Sequence, residues 1–233
     1  MARRAHPAPA DQDTGTVADG TALRSPGRDR HDSSETRTTI LAAARAVLLA
    51  DGYARLSTRS VAEAADVPLS QIHYHFGSKQ QLILAVLAAQ TERLLERQEE
   101  MYAGPEPLWV RWQRACDFLE ADLASGYVRI LQELIAAGWS DPELAASVRE
   151  QLGGWFALLT VVAQRTSDAI GGLGPFTPAE VAALMGLSFV GAESAILLGM
   201  TEDQLPARSA LRKLGEVIRE IETSRAVEPG NDR

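Results

Sequence analysis

Between Ser57 and Lys79 the chain reads STRSVAEAADVPLSQIHYHFGSK, and the reading of this stretch decides the fold. Ser57 is a good N-cap, and Val61 and Ala62, with Ala64 and Ala65 close by, give the short helix behind it a face of small residues. Small side chains let a second helix cross closely. Asp66 falls in the turn, where aspartate tolerates a left-handed backbone, and Pro68 has the fixed φ suited to a first helical turn. A second helix is therefore predicted from about Pro68. At 100° per residue, Leu69, Ile72 and Phe76 share one side of it, while Ser70, Gln71 and Tyr74 share the other. Gly77 ends that helix, Ser78 caps the next, and Lys79 stands in its first turn. Two short helices about a tight turn, anchored by apolar residues and showing a hydrogen-bonding face outward, form a helix-turn-helix suited to reading DNA.

The stretch is preceded by TILAAARAVLLADGY, and together the two segments resemble the N-terminal domain of the tetracycline-repressor (TetR) family of bacterial transcription regulators. The resemblance covers about residues 36 to 84. It rests on the Gly52-Tyr53 helix end, on Ala62-x-x-Ala65, and on Tyr74-His75-Phe76 followed by Lys79. Beyond Leu84 only the helical layout is similar. Three positions depart from the usual pattern: Asp66 replaces a glycine, Pro68 replaces a capping residue, and His73 stands where a tyrosine is common.

Composition points the same way. A 233-residue chain that is 45% hydrophobic but only 6% aromatic, with no alternating strand-like runs, is predicted to be all-α and large enough for a real core. The single cysteine, Cys116, excludes an intramolecular disulfide and suits a reducing cytoplasm. Neither a secretory segment nor an apolar run of about 18 residues stands out, so a soluble, cytoplasmic bacterial protein is expected. The net charge of −8 is uneven. Residues 1–33 are neutral, residues 34–80 carry +1, and residues 81–233 carry −9. Acid in the body helps to hold it away from DNA, and the barely basic head must rely on dimerisation and placed contacts.

Residues 1–33 mix Pro, Gly, Asp, Thr and Arg without periodicity and are expected to be a disordered tail, with Arg24, Arg28 and Arg30 available to a neighbouring minor groove. Residues 34–80 form the DNA-binding domain, residues 81–225 a ligand-binding and dimerisation domain, and residues 226–233 a C-terminal tail. Helix one is predicted over about 34–50, with Gly52 closing it. A fourth helix runs from about Ser78 to the Gly104-Pro105 stop. Body helices are predicted at about 107–124, 127–137, 142–169, 178–199 and 206–223, and Thr177-Pro178-Ala179-Glu180 is a capping box with proline at the first position.

Candidate site residues fall into three groups. In the head, Thr58 and Arg59 open a helix where N–H groups and a cation suit phosphate, and the resemblance makes Arg59 a candidate for a guanine edge as well. Ser70, Gln71 and Tyr74 face the major groove, His73 and His75 flank that face near phosphates, and Lys79 is the clearest phosphate ligand. In the body, the aromatic residues Trp109, Trp112, Tyr127, Trp139, Trp155 and Phe189, with Cys116 and Thr160, are candidates to line an effector pocket; ordinary core packing is the competing explanation. Gln132, Glu133, Gln164 and Arg165 are further polar candidates. Ser188, Gly191, Ala192, Ala195 and Gly199 form a small-residue stripe, answered by Leu211, Leu214, Ile218 and Ile221 at heptad-like spacing. These would build a four-helix dimer interface, the alternative being that both stripes pack within the chain.

No metal or cofactor is expected. His73 and His75 lie two residues apart on a helix and point about 200° away from each other, so they cannot share an ion. Cys116 has no histidine in the body to activate it, and no enzyme emerges. The resemblance implies a homodimeric regulator that binds an operator in double-stranded DNA and, as a repressor, is released by a small apolar or aromatic effector. A constitutive DNA-binding regulator without effector, or a helical interaction module, is the alternative.

Overall fold

The structure, a computed structural model, describes residues 26–226, and nine helices account for almost all of them. The tail expected over residues 1–25, the minor-groove role of Arg24, Arg28 and Arg30 side chains, and the C-terminal tail from residue 227 lie outside what is described. The chain divides into a first unit, Met1–Thr36, and a second, Arg37–Arg233, which holds every feature discussed below. Helix α1 is Pro26–Arg55, so it begins earlier than the expected Ser34. Polar composition had suggested a tail there, but Pro26 is preset for a first helical turn and no second proline follows before Pro68.

The head follows its sequence closely. Helix α2 (Thr58–Ala64) is capped by Ser57, whose side chain accepts from the Ser60 amide while Ser60 Oγ accepts from the Ser57 amide, a capping box built with serine in place of glutamate. Val61, Ala62 and Ala65 are buried, and Asp66 takes a left-handed φ of 52°. Helix α3 is Leu69–Phe76, with Pro68 just outside it as the N-cap at ψ 143°. This corrects the sequence expectation by one position: proline's φ serves the turn, and the Pro68 carbonyl still receives the Gln71 amide at 2.9 Å. Ile72 and Phe76 are buried with Ile40, Ala44, Leu48 and Leu56. Gly77 ends α3 with a positive φ, and helix α4 (Lys79–Ala103) starts at once under the cap of Ser78.

The end of α1 is fastened at several points. Gly52 breaks the helix at φ 78° and ψ 166°, which exposes polar groups of the last turn. Arg129 of helix α6 (Tyr127–Gly138) donates to the Leu49 carbonyl at 2.9 Å, and Glu133 accepts the Tyr53 amide at 2.6 Å. Lys79 Nζ donates to the Tyr53 carbonyl at 2.7 Å. Arg45 donates to the Ser125 carbonyl at the end of helix α5 (Leu108–Ser125). A second joint joins the start of α4 to helix α7 (Pro142–Ile170), where Gln80 reaches Asp141 and Gln81 reaches Glu143.

In the body α7 packs on α4, α6 and helix α8 (Pro178–Leu197), and α5 packs on helix α9 (Ala207–Ala226). The expected Thr177–Glu180 capping box is present in both directions. Helix α8 is long and apolar enough, with a mean hydropathy of 1.5 over an 18-residue window, to match a membrane span in length and composition. The sequence reading expected no apolar run of this length; α8 is one, with Glu193 inside it. The close α7–α8 approach occurs at Gly186, where a Cβ would collide with the Phe156 ring, and not at the stripe proposed above. Gly186→Ala is therefore expected to destabilise by about 1–3 kcal/mol. Gly153→Ala, whose added methyl meets nothing within 4 Å on α7, is expected to be neutral or stabilising by up to about 1 kcal/mol. Urea denaturation of both variants checks the pair.

Candidate nucleic-acid interface and effector cavity

On α3, Tyr74 is 76% exposed, Ser70 and His73 are exposed, and Gln71 is half-buried at its root. With Arg59 exposed and Thr58 half-buried at the start of α2, these residues form one polar surface over two adjoining helix ends. Two expected contacts change role. His75 has its Nε2 atom buried without a hydrogen-bond partner, with its ring packed edge-on to Tyr74 at 4.9 Å, so that nitrogen does not reach a phosphate. Lys79 is half-buried, lies 4.6 Å from the centre of the Tyr53 ring, and spends one of its donors on the Tyr53 carbonyl. Burial lowers its pKa. It is first a clasp between α1 and α4, with two N–H donors left for other partners. His73 turns Nδ1 to the Gly77 carbonyl at 3.0 Å and leaves its other nitrogen outward.

The body contains two adjoining cavities. One, of about 50 Å³, is bounded by Trp112, Trp155, Phe189, Tyr127, Thr91 and Glu193, among others. The other, of about 200 Å³, is almost wholly apolar and lies among α5, α7, α8 and α9. They share the walls Tyr102, Trp112, Leu159 and Met185. Of the pocket residues expected from sequence, Trp112, Tyr127, Trp155 and Phe189 are on these walls. Trp139 is not: it is 83% exposed at the α6–α7 turn, where Ser140-Asp141-Pro142 leads the chain outward. Trp109, Cys116 and Thr160 also face elsewhere. The Trp109 amide is capped by Glu222, Cys116 is buried in the core with its pKa pushed up to about 11 by burial, and Thr160 returns its hydroxyl to the Phe156 carbonyl. Glu133 serves the α1 joint instead of a pocket.

Three polar wall residues escaped the sequence reading. Thr91 and Gln98 lie seven residues apart on the core side of α4; Thr91 meets the Tyr127 hydroxyl at 3.4 Å and Gln98 accepts from the Trp155 indole at 2.9 Å. The third is Glu193, the one charged residue of α8 after its first turn, a signal visible in the sequence. Its carboxylate accepts from Gln132 Nε2 at 3.1 Å, and Gln132 in turn accepts from Ser194. Asp122 lies on the same wall but pairs with Arg97 at 2.7 Å.

The proposed dimer residues also shift. Ala192, Ala195 and Leu211 are buried within the chain, and Leu214 and Ile218 pack against the same core, so the inward stripe is already occupied. A helix apolar all round hides which side faces out: of the expected set, Gly191, Gly199 and Ile221 are exposed, while Ala192, Ala195 and Leu211 face inward. The outward apolar face consists of Leu184, Leu187 and Leu198 around Gly191 on and beyond α8, with Val217 and Ile221 on α9.

Burial raises the Glu193 carboxyl from its ordinary 4.5 to about 7, opposed by the Gln132 hydrogen bond. Between those values the unfolded chain gives up this proton and the folded chain keeps it. Stability is therefore lost as pH rises through that window and is level above it. Glu193→Gln removes the loss, so the wild type should fall relative to the variant between pH 4.5 and 7. Urea midpoints at the two ends check it, and an unchanged difference would mean that Glu193 is ionised throughout.

The family model described as bacterial regulatory proteins, tetR family, matches residues 40–86, the same segment that forms the buried core of the head and its exposed α3. The HTH-type transcriptional regulator UidR of Escherichia coli (strain K12) is 28% identical over 138 residues, 59% of this chain and 68% of that protein. Among solved structures, the transcriptional regulator FadR from Bacillus subtilis in complex with stearoyl-CoA superposes with a TM-score of 0.65 at 15% identity, covering 76% of this chain and 96% of that one. A regulator from Saccharomonospora viridis in complex with choline gives a TM-score of 0.65 at 20% identity, covering 78% and 96%. The match of the head segment, residues 40–86, to the tetR family model and the likeness of the fold to solved bacterial regulators agree: the chain carries a tetR-type DNA-binding segment and is similar to bacterial transcriptional regulators.

Proposed function

We propose that the protein is a homodimeric repressor whose two α3 helices read a palindromic operator and which a small effector, held in the body, releases. The observation that carries the DNA reading is the outward polar face of α3, anchored from behind by fully buried Ile72. Gln71 has the paired donor and acceptor that match an adenine edge, and exposed Tyr74 is placed for backbone or a thymine methyl. Arg59 and Thr58 supply phosphate contacts from the start of α2, His73 and the spare donors of Lys79 the flanking ones. Two heads must stand about 34–36 Å apart to enter successive major grooves, so a modest displacement of α4 is enough to spoil binding.

The effector half of the reading is supported by the paired cavities, whose walls belong to α4 through α9. The fatty-acyl thioester and choline bound by the two structural neighbours share no chemistry. A bound small molecule is common to both, and the class of effector must come from this chain's own residues. The apolar and aromatic walls suit a small molecule with a substantial apolar part.

Dimerisation is assigned to the outward face of α8 and α9, where exposed leucines would otherwise face water. Leu187→Glu is expected to yield monomers in sedimentation velocity with poor operator affinity. Ala195→Glu, by contrast, should unfold the body, since Ala195 is buried within one chain.

The deciding experiment is selection of bound duplexes from a random-sequence pool. Enrichment of a palindrome with half-sites about one helical turn apart is expected, and Gln71→Ala should relax preference at one base position of each half-site while costing roughly 1–3 kcal/mol. Failure to enrich any palindrome would overturn the operator reading, and an unchanged preference in Gln71→Ala would remove Gln71 from the base contacts.

A further inference from the structure

From the placement of Glu193 on the wall of the polar cavity, which adjoins the apolar one, we infer that the effector is an amphipathic organic cation, a primary or secondary ammonium on a hydrocarbon tail. The inference rests on the effector-responsive reading above and narrows it to a chemical class.

The charge balance of the polar cavity is the starting point. Two carboxylates lie on its wall, Asp122 and Glu193. Asp122 already has its cation in Arg97, whose guanidinium also stacks over the Phe118 ring at 4.1 Å. Glu193 has none among the described residues; its single hydrogen bond comes from the neutral amide of Gln132. A carboxylate taken out of water without a cation is costly, and a helix otherwise apolar at its core gains nothing structural from one. An arriving ammonium supplies the missing charge, and the Tyr127 and Thr91 hydroxyls on the same wall are acceptors for its remaining N–H donors.

Size restricts the head group. About 50 Å³ holds roughly one or two water-sized groups, which admits an ammonium and the first methylene but not a bulky quaternary centre. The surrounding rings of Trp112, Trp155 and Phe189 add the negative faces that attract a cation. From there the shared wall at Trp112 and Met185 leads into the cavity of about 200 Å³, almost wholly apolar and lined by Val162, Ala163, Ile170 and Val181, where the Thr166 hydroxyl is turned to the Val162 carbonyl. Glu222 on that wall is turned to the Leu108 and Trp109 amides and is not available to a ligand head. The cavity pair therefore suits a molecule charged at one end and apolar over the rest.

A test compares three probes with the same eight-carbon tail and different heads, octylamine, octan-1-ol and sodium octanoate, by calorimetric titration of the full-length protein and by operator affinity in their presence. Octylamine is expected to bind at least about tenfold more tightly than octanol, octanoate not to bind, and only octylamine to weaken operator binding. In Glu193→Gln, octylamine should fall to the level of octanol while octanol is unchanged. The proton count in the wild type gives a second reading that needs no variant. Glu193 must ionise on pairing, so octylamine titrated at pH 7 in buffers of different ionisation enthalpy should release a fraction of a proton. Octanol or octanoate binding as well as octylamine, or octylamine binding without proton release and unaffected by Glu193→Gln, overturns the inference while leaving an effector in place. If no probe binds, the inference is also overturned, and a thermal-melt screen of neutral apolar molecules then decides the broader reading: a compound that raises the melting temperature and lowers operator affinity preserves it, and none doing so removes it.

Discussion

The peptide groups on either side of Tyr53 carry the connection on which the head depends. The N–H is held by Glu133 of α6 and the C=O by Lys79 of α4, so a single residue at the broken end of α1 is fastened to two different helices. A helix that ends at a left-handed glycine leaves its last carbonyls without partners inside the helix. Here Leu49 is satisfied from another helix by Arg129, while Asp51 and Gly52 are satisfied locally, by the Arg55 side chain and the Leu56 amide. Gly52 has a left-handed φ of 78° that a larger residue adopts only with strain, and a Cβ there would lie 3.1 Å from the Glu133 carboxylate, which would have to shift. The hydrogen bonds that complete α1 are thus the same ones that set the angle of the head. Losing one costs more than its net strength, because the partner is left partly buried and unsatisfied.

Helix α6 joins this connection to the cavity. Within twelve residues it presents Arg129 and Glu133 to α1 on one side, and on the other Tyr127 and Leu131 to the polar cavity and Gln132 to Glu193. Helix α4 does the same over a longer span, with Lys79 at the head and Thr91 and Gln98 at the cavity. Under the proposed function, an occupant that pulls Glu193 towards itself alters the Gln132 bond, and Gln132 neighbours Glu133 in the chain. Coupling of about 1–3 kcal/mol between effector and operator needs no more than a small bias on such short polar links. Packed helices respond to that bias by shifting between discrete arrangements, because their interiors do not deform smoothly.

How much of this was legible in the sequence follows from how local each signal is. The Ser57 cap, the Asp66 turn, the Gly77 stop and the Thr177–Glu180 box act within four residues, and the structure places each of them at or within one residue of its expected position. The buried face of α3 was equally plain, since alternation of Leu69, Ile72 and Phe76 with polar residues leaves a single choice. Helix α8 offered no such contrast. With apolar residues on all sides, its period could not tell the face against α7 from the face towards a partner, and Ala192 and Ala195 were assigned outward when they face inward. Lys79 and His75 held more than the sequence showed. Lys79 is half-buried by the meeting of α1 with α4, distant in sequence, and the His75 ring packs against Tyr74 with its Nε2 atom buried. The cavity was half legible: aromatic residues announced it, but which of them face it depends on helix rotation, and Trp139 lies on a turn that leaves the body altogether.

Helix α8 also shows why composition alone misleads about environment. By length and hydropathy it qualifies as a membrane span. Yet it carries Glu193 about four-fifths of the way along, and a charge held in the hydrocarbon is costly. Its packing gives a better account. The side bearing Ala182, Gly186, Phe189 and Ala192 is buried on the body, closest where Gly186 admits the Phe156 ring, and Glu193 opens into the cavity beside it. Only Leu184, Leu187 and their neighbours remain in water, an apolar face that a second copy of the helix would cover. Under the proposed function, one helix would thus bound the effector cavity on one side and the dimer contact on the other. A rotation of α8 that improves the fit around a ligand at Glu193 would then move Leu187 as well, and effector binding and the spacing of the two heads would be bound together by one rigid element.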